Sequence, residues 1–454
     1  MTDLIQYHST NRELDSTEKY REVSFMEALF MGLAPDGGLF MPTRIPFLNM
    51  DDLNRLRGEP YWKIAHKAIY PFLRGEVDDH LLRKMIEEIY NFEVPLERID
   101  HNTLLLRLDR GPSASFKDFA ARFMARIMSH LRSSGREITV LVATSGDTGS
   151  AIGEAFRGLE GFTVYILFPE REVSHVQAVQ LESIGKNVKA ISIAGKFDDC
   201  QSLVKMAFGD SDLTPLNLTS ANSINVGRVL PQIAYYVYAC VNASSDLQPV
   251  VFSIPSGNFG NSLGCEFARR MGLPIERIII GVNENDEFPR FLESGNYEKI
   301  DPSRVCLSNS MNVGNPSNLA RYFDLYGGIL TKEGKVERPP DLVEMRKHLF
   351  STSVNDAETV ALIKQMYEDK GMLIEPHGAV GLAALNRYRE TRESSLAICV
   401  ETAHPGKFPE TLEDLLQMVI QLPVALKRLE KREREVEHLD NDFRQLKTFL
   451  MEKA

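Results

Sequence analysis

Ile138-Thr139-Val140-Leu141-Val142-Ala143, followed at once by Thr144-Ser145-Gly146-Asp147-Thr148-Gly149-Ser150, is the stretch on which the fold turns. An apolar, β-branched run gives way to a small polar turn and then to residues of helical period. A run without alternation suits a strand covered on both faces. The same grammar recurs outward, with further strands expected at Thr163 to Phe168, Val188 to Ile193, Val250 to Ile254, Arg277 to Val282 and Leu396 to Val400. Strands alternating with helical stretches predict an α/β protein with helix-covered parallel sheets. Six strands exceed one mononucleotide-binding half, so two lobes are expected.

Between the third and fourth strands, Phe197 to Gly209 and Ile224 to Val241 have helical period and are separated by the polar turn Leu216 to Asn222, which sets a lobe boundary near 220. Before the sheets, Thr17 to Met31 and Asp79 to Tyr90 flank the turn Ala34-Pro35-Asp36-Gly37-Gly38, predicting an N-terminal helical domain. The expected division is therefore 1–100, 101–220 and 221–454. At the far end Leu422, Ala425, Leu429, Val436, Leu439, Phe443, Leu446 and Leu450 follow 3-4 spacing, broken only by Arg432. That predicts a C-terminal helix, either paired in a coiled coil or laid along the protein's own surface.

At roughly 150 residues per domain, 454 residues make about three folding units. Hydrophobic residues at 43% and charged residues at 25% exclude disordered, collagen-like and disulfide-scaffold classes. With 52 Lys plus Arg against 63 Asp plus Glu, a net charge of -11 and no long basic block before the last helix, nucleic acid is not an expected partner. The cysteines at 200, 240, 265, 306 and 399 are odd in number and scattered, without a Cys-x-x-Cys pair. This argues against disulfides and zinc and for a reducing compartment. Met1 to His8 lacks the basic and apolar regions of a signal peptide, and runs such as Ile233 to Val241 are too short for a membrane span. A cytoplasmic protein without a metal is expected.

Three loops that follow strands concentrate small and polar residues, where an open α/β sheet binds its ligand. In the first, Thr144 to Ser150, backbone N–H groups at a helix start suit a carboxylate or phosphate; a capped turn is the alternative. The second is Pro255-Ser256-Gly257-Asn258-Phe259-Gly260-Asn261-Ser262. Two glycines three apart with no following Lys describe a phosphate cradle of neutral amides, unlike a nucleotide P-loop; a tight turn is the alternative. In the third, Glu401-Thr402-Ala403-His404-Pro405-Gly406-Lys407-Phe408, Thr402 stands at a strand's C-terminal edge, while His404 and Lys407 could equally be solvated turn residues. Upstream, Ser115-Phe116-Lys117-Asp118 puts a Lys in the first turn of a helix, against the dipole. A Lys kept neutral or tied up as an imine fits that place better than a solvated one.

Together these segments resemble the threonine synthases, pyridoxal-phosphate enzymes of the tryptophan-synthase-β-like fold, type II. The resemblance covers nearly the whole chain: Tyr7 to Asn11 and Gly32 to Phe40, then Ser115 to Asp118, Thr144 to Gly149, Gly195 to Gln201, Asn222 to Asn225 with Arg228, Ser256 to Asn261 and Thr402 to Phe408, in the family's order. It implies Lys117 as the Schiff-base and proton-relaying residue. Gly257, Asn258, Phe259, Gly260 and Asn261 would cradle the cofactor phosphate, and Thr402 would offer its hydroxyl to the pyridine nitrogen without holding that nitrogen protonated. Asp147 would lie near the cofactor's phenolic oxygen, where one of the two should carry a proton or a water should intervene. Thr144, Ser145, Gly146 and Thr148 would receive the substrate carboxylate, and Arg228 with Asn222 and Asn225 the leaving phosphate.

Two departures stand out. Arg110-Gly111-Pro112-Ser113 replaces the family's common His-Gly-Pro-Thr, and Val226-Gly227 its Trp-Ala. The implied reaction is O-phospho-L-homoserine plus water to L-threonine and phosphate. A phospho-lyase giving 2-oxobutanoate and a non-catalytic ligand-binding relative are the alternatives. The partner implied is the small-molecule substrate, with neither nucleic acid nor membrane, in a monomer or homodimer.

Overall fold

The computed structural model describes residues 4–14, 21–133, 135–392 and 395–452. The chain divides into two units, Met1–Arg110 with Ser223–Ala403, and Gly111–Asn222 with His404–Ala454. Both are helix-covered sheets, as expected from the alternating pattern.

The first unit holds a six-stranded sheet in the order Leu349–Ser353, Ile275–Val282, Val250–Pro255, Leu396–Glu401, Thr103–Arg107, Leu96–Asp100. All neighbours pair in parallel except the last two strands, which are antiparallel. Val250–Pro255 is buried at every position and Leu396–Glu401 at all but its first. The helix Pro376–Arg389 packs on this sheet at close range. A Cβ on Gly281 would lie 2.9 Å from the Val380 carbonyl oxygen, and one on Gly381 3.0 Å from Pro255 Cδ. The Ser253 hydroxyl donates to the Gly381 carbonyl at 2.6 Å, fixing the helix along the strand.

The N-terminal helices belong to the same unit. Helix Phe25–Met31 starts at a Ser24–Glu27 capping box; the earlier part of its expected span, Thr17 to Tyr20, lies outside the described residues. Helix Tyr61–Leu73 packs against Ile233–Ala243. That second helix buries nearly its whole circumference, so one sheet face cannot cover it and the N-terminal helices complete its surroundings.

The second unit holds an all-parallel five-stranded sheet, Val436–Asp440, Val188–Ala194, Phe162–Pro169, Ile138–Ala143, Leu218–Ser220. Here the expected C-terminal helix is corrected. Residues 422–450 form a short helix Val424–Lys427, a 3-10 turn Arg428–Lys431, the strand Val436–Asp440 and a terminal helix Phe443–Glu452. The strand covers the open edge of Val188–Ala194 over five register pairs, satisfying backbone groups that a helix laid on the surface would leave bare. The 3-4 spacing survives in the terminal helix, where Leu446 and Leu450 enter the core with Leu141, Tyr165, Leu167, Ile191 and Leu203 and Phe443 packs against it. Residues 404–454, expected within the larger lobe, thus belong to the smaller one.

Candidate active site

Lys117 is the first residue of the helix Lys117–Leu131, and Asp147 the first of Asp147–Phe156. The Asp147 carboxylate lies 3.6 Å from the Lys117 ammonium and 2.7 Å from that of Lys407. It also accepts a 2.9 Å hydrogen bond from the Gln177 side-chain amide. The Lys117 side chain keeps 15% exposure, whereas that of Lys407 is wholly buried. The cation set against the helix dipole is therefore met by a carboxylate, and a second Lys holds that carboxylate.

Lys407 also donates to the Ser113 carbonyl at 3.0 Å, and Gln180 donates to the same oxygen at 3.1 Å. The His404 N–H donates to the Ala114 carbonyl at 3.0 Å. The segment 404–407 is thus laced onto the loop that precedes Lys117. Within that loop the Ser113 N–H donates to Asp118 at 2.9 Å, and a Cβ on Gly111 would lie 2.3 Å from the same carboxylate oxygen. Gly111 is glycine so that this carboxyl can approach. Burial pushes the Asp118 carboxyl up to about 6.

Thr144 is buried, and its hydroxyl oxygen accepts from Gly146 N–H at 3.0 Å and Gly149 N–H at 2.8 Å. Its own proton is left to donate. Gly146 has φ +122°, a left-handed turn that aims the chain into the helix, while Ser145 and Thr148 are half-buried beside it. Asn222 donates to the Ala143 carbonyl at 2.8 Å, bracing the end of the strand that feeds this loop.

In the other unit, Val250–Pro255 runs into Ser256–Asn261 and the helix Gly260–Arg270. Phe259, at φ +60°, bends the backbone there, its ring held edge-on by Phe288 with centroids 4.8 Å apart. Asn258 clamps the loop: its amide donates to the Ser223 hydroxyl at 2.8 Å, its oxygen accepts from the Ser317 N–H at 2.7 Å, and its carbonyl accepts from Asn318 at 2.9 Å. Asn261 Oδ1 accepts from the Tyr235 and Tyr236 hydroxyls at 2.6 and 2.7 Å. Beneath lies Arg321, fully buried, donating to the carbonyls of Phe40, Ser223 and Ile224 and to Asn318 Oδ1. Burial lowers its pKa to about 9.

Arg228 is buried in the short helix Val226–Val229. Asn225 caps that helix, accepting from Gly227 N–H at 2.9 Å and donating to the Leu29 carbonyl at 2.8 Å. The expected trio is divided between the units, with Asn222 in one and Asn225 and Arg228 in the other. Thr402 follows the strand Leu396–Glu401, which pairs in parallel with Val250–Pro255, the strand that leads into Ser256. The Thr402 hydroxyl donates to Glu375 at 3.2 Å.

Comparison with known proteins covers nearly the whole chain. The family described as pyridoxal-phosphate dependent enzyme matches residues 91–400, threonine synthase N terminus matches 6–90, and threonine synthase, C-terminal matches 378–450. The threonine synthase of Haemophilus influenzae is 38% identical, over 95% of this chain and 97% of its own. That of Escherichia coli is 34% identical over 89% and 91%.

The chain belongs to the threonine synthase family. The crystal structure of PLP-bound threonine synthase from Brucella melitensis superposes with a TM-score of 0.89 at 34% identity, covering 99% of both chains. The Escherichia coli threonine synthase structure gives 0.88 at 31%, covering 99% of this chain and all of the other. Membership makes this a pyridoxal-phosphate-dependent lyase with threonine synthase activity.

The phosphate loop fits that cofactor. Ser256 Oγ and Asn261 Nδ2 are buried donors with no hydrogen-bond partner among the described residues. At Gly260 a Cβ would meet nothing closer than 3.5 Å, so packing does not demand glycine there and the place is open to a ligand. Gly257 differs: its Cβ would lie 2.6 Å from Met311 Cα, so the loop itself needs that glycine. Lys407, Gln177, Arg321 and Glu375 are the residues that sequence reasoning undervalued or passed over. For Lys407 the signal was present, a Lys in a strand-end loop; the others lie on helices or loops with no motif.

Proposed function

We propose that this chain converts O-phospho-L-homoserine and water to L-threonine and phosphate, with pyridoxal phosphate bound through Lys117. The observation that carries this reading is the match to a threonine synthase at 38% identity over 95% of the chain, a span that takes in the lysine, carboxylate-binding and phosphate loops. When bound, the cofactor supplies the electron sink that acidifies the carbons beside the substrate amine.

The chain's own residues do the rest. Lys117, displaced by the substrate amine, takes and returns protons at the α, β and γ carbons, with its resting charge met by Asp147. Asp147 in turn is paired with buried Lys407, so its charge is compensated and the repulsion expected against a phenolic oxygen is offset. Thr144, whose oxygen already accepts two backbone N–H bonds, has only its proton to give, which suits the substrate carboxylate; Ser145, Gly146 and Thr148 complete that loop. Gly257 to Asn261 hold the cofactor phosphate, and Arg228, buried yet cationic, is assigned to the leaving phosphate. Cytoplasmic location and a monomer or homodimer complete the proposal; among the described residues no helix is long and apolar enough to cross a membrane.

Product analysis of the holoenzyme with O-phospho-L-homoserine is the test. Threonine and phosphate in equal amounts are expected. Release of 2-oxobutanoate and ammonia would replace the proposal with a simple elimination, and absence of any product would remove the substrate assignment.

A further inference from the structure

Arg321, on the helix Leu319–Leu325, is wholly buried, and the four acceptors it meets are neutral oxygens. They are the carbonyls of Phe40 and Ser223 at 3.1 Å each, the Ile224 carbonyl at 2.6 Å and Asn318 Oδ1 at 2.6 Å. The acid whose charge reaches it, Asp324, is itself paired with Arg12 and His8. A guanidinium keeps its charge at neutral pH and can only donate, so the directions along this network are fixed. Asn318 must turn its oxygen to Arg321, which leaves its NH2 for the Asn258 carbonyl at 2.9 Å. The Asn258 side chain donates to Ser223 Oγ at 2.8 Å, and the carbonyl of that same Ser223 is held by Arg321. Arg321 thus grips Asn258 from two sides without touching it.

The second grip leads elsewhere as well. Ile224 directly precedes Asn225, the cap of the short helix that carries Arg228. From the far end of that helix, the Gln232 side-chain amide donates to the Arg228 carbonyl at 2.7 Å. Gly260 of the phosphate loop lies between these groups: a Cβ there would be 3.5 Å from Asn318 Nδ2 and 3.6 Å from both Gln232 Nε2 and Ser223 Cβ. The loop assigned to the cofactor phosphate and the segment assigned to the leaving phosphate are therefore neighbours with one anchor, all within one unit. A Lys could not serve as that anchor, because a point charge with three donors cannot span four acceptors set around a planar fork. A cation buried among neutral oxygens is also costly on its own, and a phosphate held two hydrogen bonds away would compensate it.

We infer that Arg321 is a positioning residue that sets both phosphate sites from one point, through Asn318 and Ser223 for the loop 257–261 and through Ser223 and Ile224 for the segment ending at Arg228. The inference rests on the two assignments proposed above and adds that the two sites are built as one piece. A change at Arg321 reaches both, whereas a change at Asn318 reaches the cofactor loop first.

The test compares Arg321→Lys and Asn318→Ala with the wild-type holoenzyme. Fluorescence titration reads cofactor affinity and 31P NMR the surroundings of the cofactor phosphate. The leaving-phosphate site is read, at saturating cofactor, by KM for O-phospho-L-homoserine and by inhibition with inorganic phosphate. Arg321→Lys is expected to weaken cofactor and inorganic phosphate by about tenfold each, to shift the 31P resonance, and to raise KM by more than it lowers kcat. Asn318→Ala is expected to weaken the cofactor by a similar factor, and inorganic phosphate by a factor about fivefold smaller or less. Loss of only one of the two ligands in Arg321→Lys would overturn the inference. So would a fall in kcat and thermal stability with the 31P resonance unmoved, which is what a merely structural role produces. An Asn318→Ala variant that binds the cofactor as well as the wild type would overturn it too, and decides the matter even where no Arg321 variant folds. A wild type that binds no pyridoxal phosphate, or whose turnover of O-phospho-L-homoserine is not inhibited by inorganic phosphate, would instead remove the site assignments beneath the inference.

Discussion

The site around Lys117 settles its electrostatics with paired charges, whereas the phosphate loop uses neutral amides over the buried cation Arg321. In the first, Asp147 stands 3.6 Å from Lys117 and 2.7 Å from Lys407. In the second, Ser256 to Asn261 contain no charged side chain, and Arg321 beneath them donates to carbonyl and amide oxygens only. The difference follows from the task. A group that moves protons needs a resting state defined by a charged partner, while a permanent phosphate needs preset dipoles that no proton can alter.

The largest test of that contrast separates the two lysines. Lys117→Ala should lower turnover by at least roughly three decades, because no other group binds the aldehyde and relays protons. Its stability should change by less than about 1 kcal/mol, since Asp147 remains paired. Lys407→Met should do the reverse at the level of folding, losing about 3–5 kcal/mol in urea unfolding because it strands a buried carboxylate. Recovery of part of that loss on adding Asp147→Asn would fix the cause; a loss below about 1 kcal/mol would mean that Asp147 needs no cation.

Asp118 is a fully buried carboxylate of this unit, and it sharpens the comparison through pH. Its folded pKa, about 6, lies above the unfolded value near 3.9. Between these values the folded chain binds more protons than the unfolded one, so this group's contribution to stability falls as pH rises from about 4 to 6 and stays lost above it. Asp118→Asn should add on the order of 2 kcal/mol at pH 7.5 and flatten the slope between pH 4 and 6, read by urea unfolding across a pH series. Identical slopes for the two proteins would contradict the buried-acid account.

The smallest effects concern the glycines. Gly260→Ala should weaken cofactor binding by about tenfold, or about 1.4 kcal/mol, while leaving the cofactor-free protein as stable or slightly more so. Gly257→Ala should harm both, because Met311 backbone occupies the space its methyl needs. Titration of cofactor fluorescence beside thermal melts of the apoprotein distinguishes the two; equal behaviour would reduce both to structural turns.

How much of this was legible depended on how local each signal is. Strands covered on both faces announce themselves as continuous apolar runs, and Ile138–Ala143 was readable to the residue. Leu349-Phe350-Ser351-Thr352-Ser353 and Leu218-Thr219-Ser220 were not, since edge strands in mixed polar sequence carry neither apolar run nor alternation. Val436–Asp440 was read as helix because its apolar spacing fits both periods, and only the open sheet edge decides between them. In the site, loops at strand ends were visible through their glycines and hydroxyls. Glu375 was not, because what distinguishes it is four donors brought together by a helix start, a strand end and a neighbouring imidazole, which no single stretch of sequence displays.

The central claim is that two lysines near one carboxylate divide the work, with Lys117 bonded to the cofactor and Lys407 bonded to nothing but charge and hydrogen bonds. Borohydride reduction of the holoenzyme followed by peptide mass mapping tests it most directly. The cofactor's mass is predicted on the peptide containing Lys117 and nowhere else; its appearance on the peptide containing Lys407 would contradict the account.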